Sequence, residues 1–274
     1  MTKIGTYKIE PFPRFREIVI ESVEAGKKMN HVIGIFEMDV TEAREIIRYH
    51  KEKTGEQLSF TAWMIKCVAQ AVNENKKMHG IRKGRRKVII FDDVNVRCNI
   101  EKELDGKKTA TMYVVRKANE KSLLEIHQEI RKAQGKGEAP EKTSPVKSKK
   151  SRDSQKLLIS LPKFVRRIIW WKLRKDPFFI QKNIGTVGVT SLGMMFKSGT
   201  GWAITRSPHT LSIAIGSIIE KPGVINKSIE IREYLGLTIM FNHDVVDGAP
   251  AARFSARLTE LLDTGYGLED FKKK

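Results

Sequence analysis

Hydrophobic and polar positions along the 274 residues follow two periods, and the chain divides by which one applies. From Arg14 to Lys28, the helical spacing of Phe15, Ile18, Val19, Ser22 and Val23 predicts an amphipathic helix. An extended lead-in precedes it, where Pro11 and Pro13 disfavour helix. After Asn30, the run His31 to Asp39 reads as a strand. Asp39 or Thr41 then caps a helix to about Lys53, with Ala43, Ile46, Ile47 and Tyr49 inside it. Ser59 starts a far more apolar helix, Phe60 to about Val72, whose Trp63, Ile65, Val68, Ala69 and Val72 predict deep burial.

Beyond a basic turn, Arg82–Lys87, strands are predicted over Val88–Phe91, Val94–Ile100 and Thr109–Val115, with a hairpin turn at Asp105-Gly106. Ser122 begins a helix buried through Leu123, Leu124, Ile126 and Ile130. Residues 131–156 lose nearly all apolar positions and read as a flexible surface segment. In Leu157–Lys175, helical spacing gathers Leu161, Phe164, Val165, Ile168, Ile169 and Trp171 on one broad face. β segments follow at Ile184–Thr190, Trp202–Ile204, Leu211–Ile219 and Tyr234–Phe241. Pro250 then suits the first turn of a helix carrying Ala251, Phe254, Leu258, Leu261 and Leu262. His243 and Asp247 therefore fall on a strand-to-helix corner. A histidine held at a strand mouth is a candidate general base; the bland alternative is a structural histidine.

A hydrophobic fraction of 40% supports a full core. No stretch approaches the ~20 apolar residues of a membrane span, and the first residues lack the apolar centre of a signal peptide. Cys67 and Cys98 stand far apart without metal-ligand spacing, as expected of reduced thiols in a cytoplasmic protein that binds no metal. The net charge of +19 suits nucleic acid, an anionic membrane surface or a phosphorylated acyl carrier such as coenzyme A. Much of it is local: Arg131–Lys175 holds 15 Lys/Arg against 3 Asp/Glu. Three readings stay open for Leu157–Lys175. It packs on its own domain or a neighbouring subunit, it lies on an anionic membrane as an interfacial helix, or it binds nucleic acid. No recognised fold supports the last.

Three blocks in order resemble the catalytic core of the dihydrolipoamide acyltransferases of 2-oxo acid dehydrogenase complexes and, more distantly, chloramphenicol acetyltransferase. They are Phe15–Ser22 with Met38-Asp-Val-Thr41 and the buried helix after Ser59, then Gly185–Met194, then Phe241–Phe254 with its His-x-x-x-Asp-Gly spacing. The resemblance implies an α/β fold, an α+β two-layer sandwich with a chloramphenicol acetyltransferase-like mixed sheet flanked by helices. Residues 1–274 would form one catalytic domain, with a basic insert at about 135–180. It further implies a homotrimer or an assembly of trimers, with each site between subunits. The reaction would move an acyl group between coenzyme A and a dihydrolipoyl-type thiol or other small acceptor. The lipoyl group would arrive in trans on a carrier protein.

Residue by residue, His243 matches the general base. Asp247, before Gly248, matches a carboxylate that pairs with an N-terminal arginine, here Arg14 or Arg16. Thr190 matches the hydroxyl that stabilises the oxyanion, with Ser191 as the neighbouring candidate. Two departures stand at the corner. Asn242 precedes the base where the family often has His or Asp, and Asp244 follows it where the family usually has Arg. A decayed scaffold or regulatory paralogue is therefore an alternative. No lipoyl or subunit-binding domain is recognisable within these residues.

Overall fold

The computed structural model describes residues 5–13, 15–104, 107–135, 161–193 and 201–272. The expected hairpin turn at Asp105-Gly106 and most of the expected flexible segment lie outside the described residues. Helix α1 (Phe15–Gly26) precedes strand β1 (His31–Asp39) and helix α2 (Thr41–Thr54). The N-cap of α2 is Val40, without a side-chain cap, rather than Asp39 or Thr41; the Asp39 carboxylate instead accepts from the Thr41 amide at 2.9 Å and hydroxyl at 2.6 Å across the strand-to-helix turn. Helix α3 (Phe60–Glu74) opens where Ser59 Oγ accepts from the Ala62 amide. Its Trp63, Ile65, Val68, Ala69 and Val72 are fully buried, as their spacing predicts.

A small hairpin, β2 (Ile81–Lys83) and β3 (Lys87–Ile89), follows. The basic turn is thus itself the tip of a two-stranded sheet, and the strand expected to Phe91 stops at Ile89. Strands β4 (Val96–Leu104) and β5 (Lys107–Val115) lead to helix α4 (Leu123–Gln134), whose Ser122 and Glu125 form a reciprocal capping box. Helix α5 covers Lys163–Lys175, beginning only after Pro162, and α6 (Pro177–Ile184) takes in Ile184, the residue from which a strand is expected. Asp176 Oδ1 accepts from the Phe178 and Phe179 amides, so α6 starts with a cap and a proline in its first turn. Gly185 ends α6 at a φ of 76°, and a Cβ there would meet Asn95 O at 2.6 Å. Both conformation and space require glycine.

Strands β6 (Val187–Ser191), β7 (Leu211–Ile225) and β8 (Ser228–Asn242) complete a six-stranded sheet in the order β1-β8-β7-β6-β4-β5. The β4–β6 and β6–β7 pairs are parallel and the others antiparallel, so the sheet is mixed as expected. Residues 202–204, expected as a strand, are irregular chain alongside a β7 bulge between Ile215 and Ile218. Helix α7 (Gly248–Asp263) closes the fold, burying Ala251, Phe254, Leu258, Leu261 and Leu262. Helices α2, α3, α4 and α7 share one core with Val187, Val189, Leu211, Ile213, Leu237 and Ile239. Because side chains alternate along a strand, Gly188, Thr190, Ser212, Ala214 and Thr238 belong to the opposite face. Among the described residues, no helix is long and apolar enough to cross a membrane.

Candidate active site

The corner after β8 is fixed through its backbone. Asn242 donates its amide to Thr210 O at 2.8 Å, and its carbonyl accepts from the Val245 and Val246 amides at 3.1 Å. The His243 amide donates to Asn30 O at 2.8 Å. Val245 and Val246 are buried beneath the turn while the His243 side chain is exposed, its ring 6.4 Å from that of Phe241. A held backbone carrying an accessible imidazole suits a base that must meet a diffusing substrate.

Asn242 and Asp244, on either side of His243, belong to this scaffold. Asn242 is buried, and its Oδ1 accepts from the Asp244 amide at 3.2 Å. The Asp244 carboxylate accepts from Asn30 Nδ2 at 2.8 Å, tying the corner to the turn before β1. Asp247 occupies the N-cap position of α7 and is exposed, at the positive end of that helix. Among the described residues no ion pair joins it to Arg16, which is exposed on α1; Arg14 lies outside them. Gly248 opens α7 with nothing within 4 Å of a Cβ built on it.

Thr190 and Ser191 stand elsewhere. Strand β6 runs parallel to β7, so Thr190 pairs with Ala214, and Ala214 with Thr238. Thr238 precedes His243 by five residues, about 16 Å along the sheet at roughly 3.3 Å per residue. One chain does not bring these hydroxyls to the imidazole. Thr190 lies on the face opposite the helical core, where the Ser212 and Thr238 hydroxyls are buried without a partner among the described residues. Ser191 is exposed at the strand end.

Other titratable groups near the corner are structural. His79 Nε2 donates to Phe91 O at 3.0 Å and Nδ1 accepts from the Thr186 hydroxyl at 2.9 Å. His209 repeats the arrangement, donating to Ile184 O at 3.0 Å and accepting from Ser207 Oγ at 2.7 Å. Burial pushes these imidazoles down to about 4 and about 3. Both cysteines are free and buried, and burial raises both thiols, Cys98 to about 12, which removes them as nucleophiles.

Two features of the corner are not singled out by the sequence pattern. His31 stands across from Asn242 on β1 and donates from Nε2 to His209 O at 3.1 Å. An open groove of about 400 Å³ also begins at Gly248, lined by Phe36, Phe241, Ala252, Ser255 and Ala256. Its signal was the run of small residues after Asp247.

The family described as 2-oxoacid dehydrogenases acyltransferase (catalytic domain) matches residues 5–147 and 181–268. The chain belongs to this family. It is 26% identical over 260 residues to the lipoamide acyltransferase component of the branched-chain alpha-keto acid dehydrogenase complex of Bacillus subtilis (strain 168), covering 93% of this chain and 52% of that protein. The chain thus spans about half the length of this curated relative. Among solved structures, a probable dihydrolipoamide acetyltransferase from Listeria monocytogenes 4b F2365 aligns with a TM-score of 0.68 at 22% identity, covering 94% of this chain and 95% of the other. The cubic core of the pyruvate dehydrogenase multienzyme complex aligns at 0.67 and 19% identity, covering 95% and 93%. These likenesses establish the acyltransferase-core fold. The stretch 148–180, which includes α5, is not matched by the family.

Proposed function

We propose that this chain is an acyltransferase that moves an acyl group between coenzyme A and a thiol of the dihydrolipoyl type, or another small acceptor, with His243 as general base. The observation that carries the reading is the accessible imidazole of His243 on a backbone-fixed corner, in a member of this acyltransferase family. A free thiol is only a few per cent ionised at pH 7, so a base raises the attacking thiolate fraction. The imidazole takes the thiol proton, the sulfur attacks the thioester carbonyl, and a tetrahedral oxyanion forms. The hydroxyl of Thr190, or failing it Ser191, donates to that oxygen, a contribution of about 3–4 kcal/mol. Collapse expels the coenzyme A sulfur, which recovers the proton from the imidazolium. No acyl-enzyme forms.

In this reading, Thr190 acts on the His243 of a neighbouring copy, which the separation of the two groups within one chain supports. The working unit is a homotrimer or an assembly of trimers, the related pyruvate dehydrogenase core being described as cubic. Asp247 holds the corner, paired with Arg14, and the hydrogen-bonded Asn242 and Asp244 support an intact rather than decayed site. The chain is one catalytic domain with a basic insert at about 135–180. A lipoylated carrier protein supplies the acceptor in trans, and the protein works in the cytoplasm.

The test measures coenzyme A release from acetyl-coenzyme A and other acyl-coenzyme A thioesters with dihydrolipoamide as acceptor. His243→Ala lowers the rate by about 10²–10⁴-fold. A variant that kept full activity would overturn the assignment of the base.

A further inference from the structure

Helix α5 has two unlike sides. Arg166, 5% exposed, faces α1: its Nε donates to Glu21 at 3.0 Å, it also pairs with Glu17, and Trp170 Nε1 donates to Glu21 at 2.9 Å. Ile169 and Trp170 add to a small apolar cluster with Ile81, Ile180, Ile184 and Phe91. That cluster welds α5 and α6 to the β2–β3 hairpin, whose Lys83 lies over the Phe178 ring at 5.1 Å.

The outward side remains uncovered. Phe164, Ile168 and Trp171, at i, i+4 and i+7, are 67%, 60% and 51% exposed, and Phe178 beside them is 52% exposed. Exposed cations flank this ridge along the helix, at Lys163, Arg167, Lys172 and Lys175. From a stretch some 80 residues earlier, the fold brings Arg82, Lys83, Arg85, Arg86 and Lys87 to the same region. Neither α5 nor Ile81–Ile89 contains an acidic residue, and among the described residues none of these nine cations is in an ion pair. Each basic segment is visible in the sequence by itself; their convergence around one apolar ridge belongs to the fold.

We infer that this composite face docks the protein on an anionic lipid surface, with Phe164, Ile168 and Trp171 entering the headgroup boundary and the nine cations meeting lipid phosphates. Aromatic and branched apolar groups beyond a cationic rim suit that interface. A nucleic acid would use the cations but gain nothing from burying Ile168. A second copy would bring like charges together. The inference rests on α5 and the hairpin, not on the catalytic corner, and stands or falls separately from the acyltransferase reading.

Co-sedimentation with phosphatidylcholine vesicles, with and without phosphatidylglycerol, tests it on the full chain. Binding appears only with the anionic lipid and weakens as salt is raised. Ile168→Glu with Trp171→Glu weakens it more than about tenfold, and Arg85→Glu with Arg86→Glu, in the distant hairpin, does the same. Acyl transfer and oligomer size stay unchanged in both. Absence of binding to anionic vesicles overturns the inference, as does vesicle binding that either variant leaves intact. A change of oligomer size in the ridge variant assigns the face to a second copy. Binding to an oligonucleotide in place of vesicles assigns it to nucleic acid.

Discussion

His243 differs from the histidines around it in having an accessible ring. His79 and His209 have both nitrogens hydrogen-bonded inside the protein, and each stays neutral far below the usual imidazole range. This makes the fold acid-sensitive. Below about pH 6.5 the unfolded chain protonates these imidazoles, while the folded chain does so only near 4 and 3. Their contribution is fully present above 6.5 and falls with pH by up to about 1.4 kcal/mol per unit per histidine. The urea midpoint is therefore lower at pH 5 than at pH 7, and His209→Gln makes the decline shallower; equal midpoints would refute this. The two candidate hydroxyls separate in the same way, by environment. Thr190 lies opposite the helical core and Ser191 at the exposed strand end, so Thr190→Val lowers kcat by about 10²–10³-fold with KM little changed. Ser191→Ala stays within about threefold, and the reverse pattern would move the oxyanion donor to Ser191.

Among the elements, those with strong local pattern were legible. The α3 and α7 apolar repeats, the strand-forming run before Asp39 and the His243 corner are all encoded within a few residues. What was lost depends on distance or on short elements. Helix α6 spans only Pro177–Ile184, too short for a helical period to stand out. The β7–β8 hairpin runs to Ile225 and Ser228 because Asn226 and Lys227 adopt φ of 49° and 68° without a glycine to announce the turn. The irregular path of 202–204 follows from the β7 bulge, where Gly201 N donates to Ser217 Oγ at 2.6 Å and Ser217 N to Gly201 O at 3.1 Å. A Cβ on Gly216 would come within 2.0 Å of Gly201 O and 2.8 Å of Gly236 O, backbone on both sides. Gly216→Ala forces these segments apart and lowers Tm by roughly 5 °C. A Tm within one degree of the parent would show that the loop can move away freely.

At the scale of the whole molecule, the parallel register of β6 on β7 decides how catalysis is organised. It puts Thr190 beside Ala214 and so level with Thr238 two strands away, about 16 Å along the sheet from His243, a long-range relation that no local pattern reveals. In the proposed mechanism each site takes its base from one copy and its oxyanion donor from the next, as a head-to-tail ring allows. Chains carrying His243→Ala and chains carrying Thr190→Val then fail for different reasons and complement each other. When equal amounts are unfolded together and reassembled, a site is intact if its base comes from a Thr190→Val chain and its hydroxyl from a His243→Ala chain. Random assembly gives half times half, about a quarter of sites. The mixed oligomer therefore recovers about a quarter of parental activity, far above either variant alone. Activity that merely averages the two variants would place base and donor in the same chain, and the separation seen along this sheet would then need a rearrangement to close it.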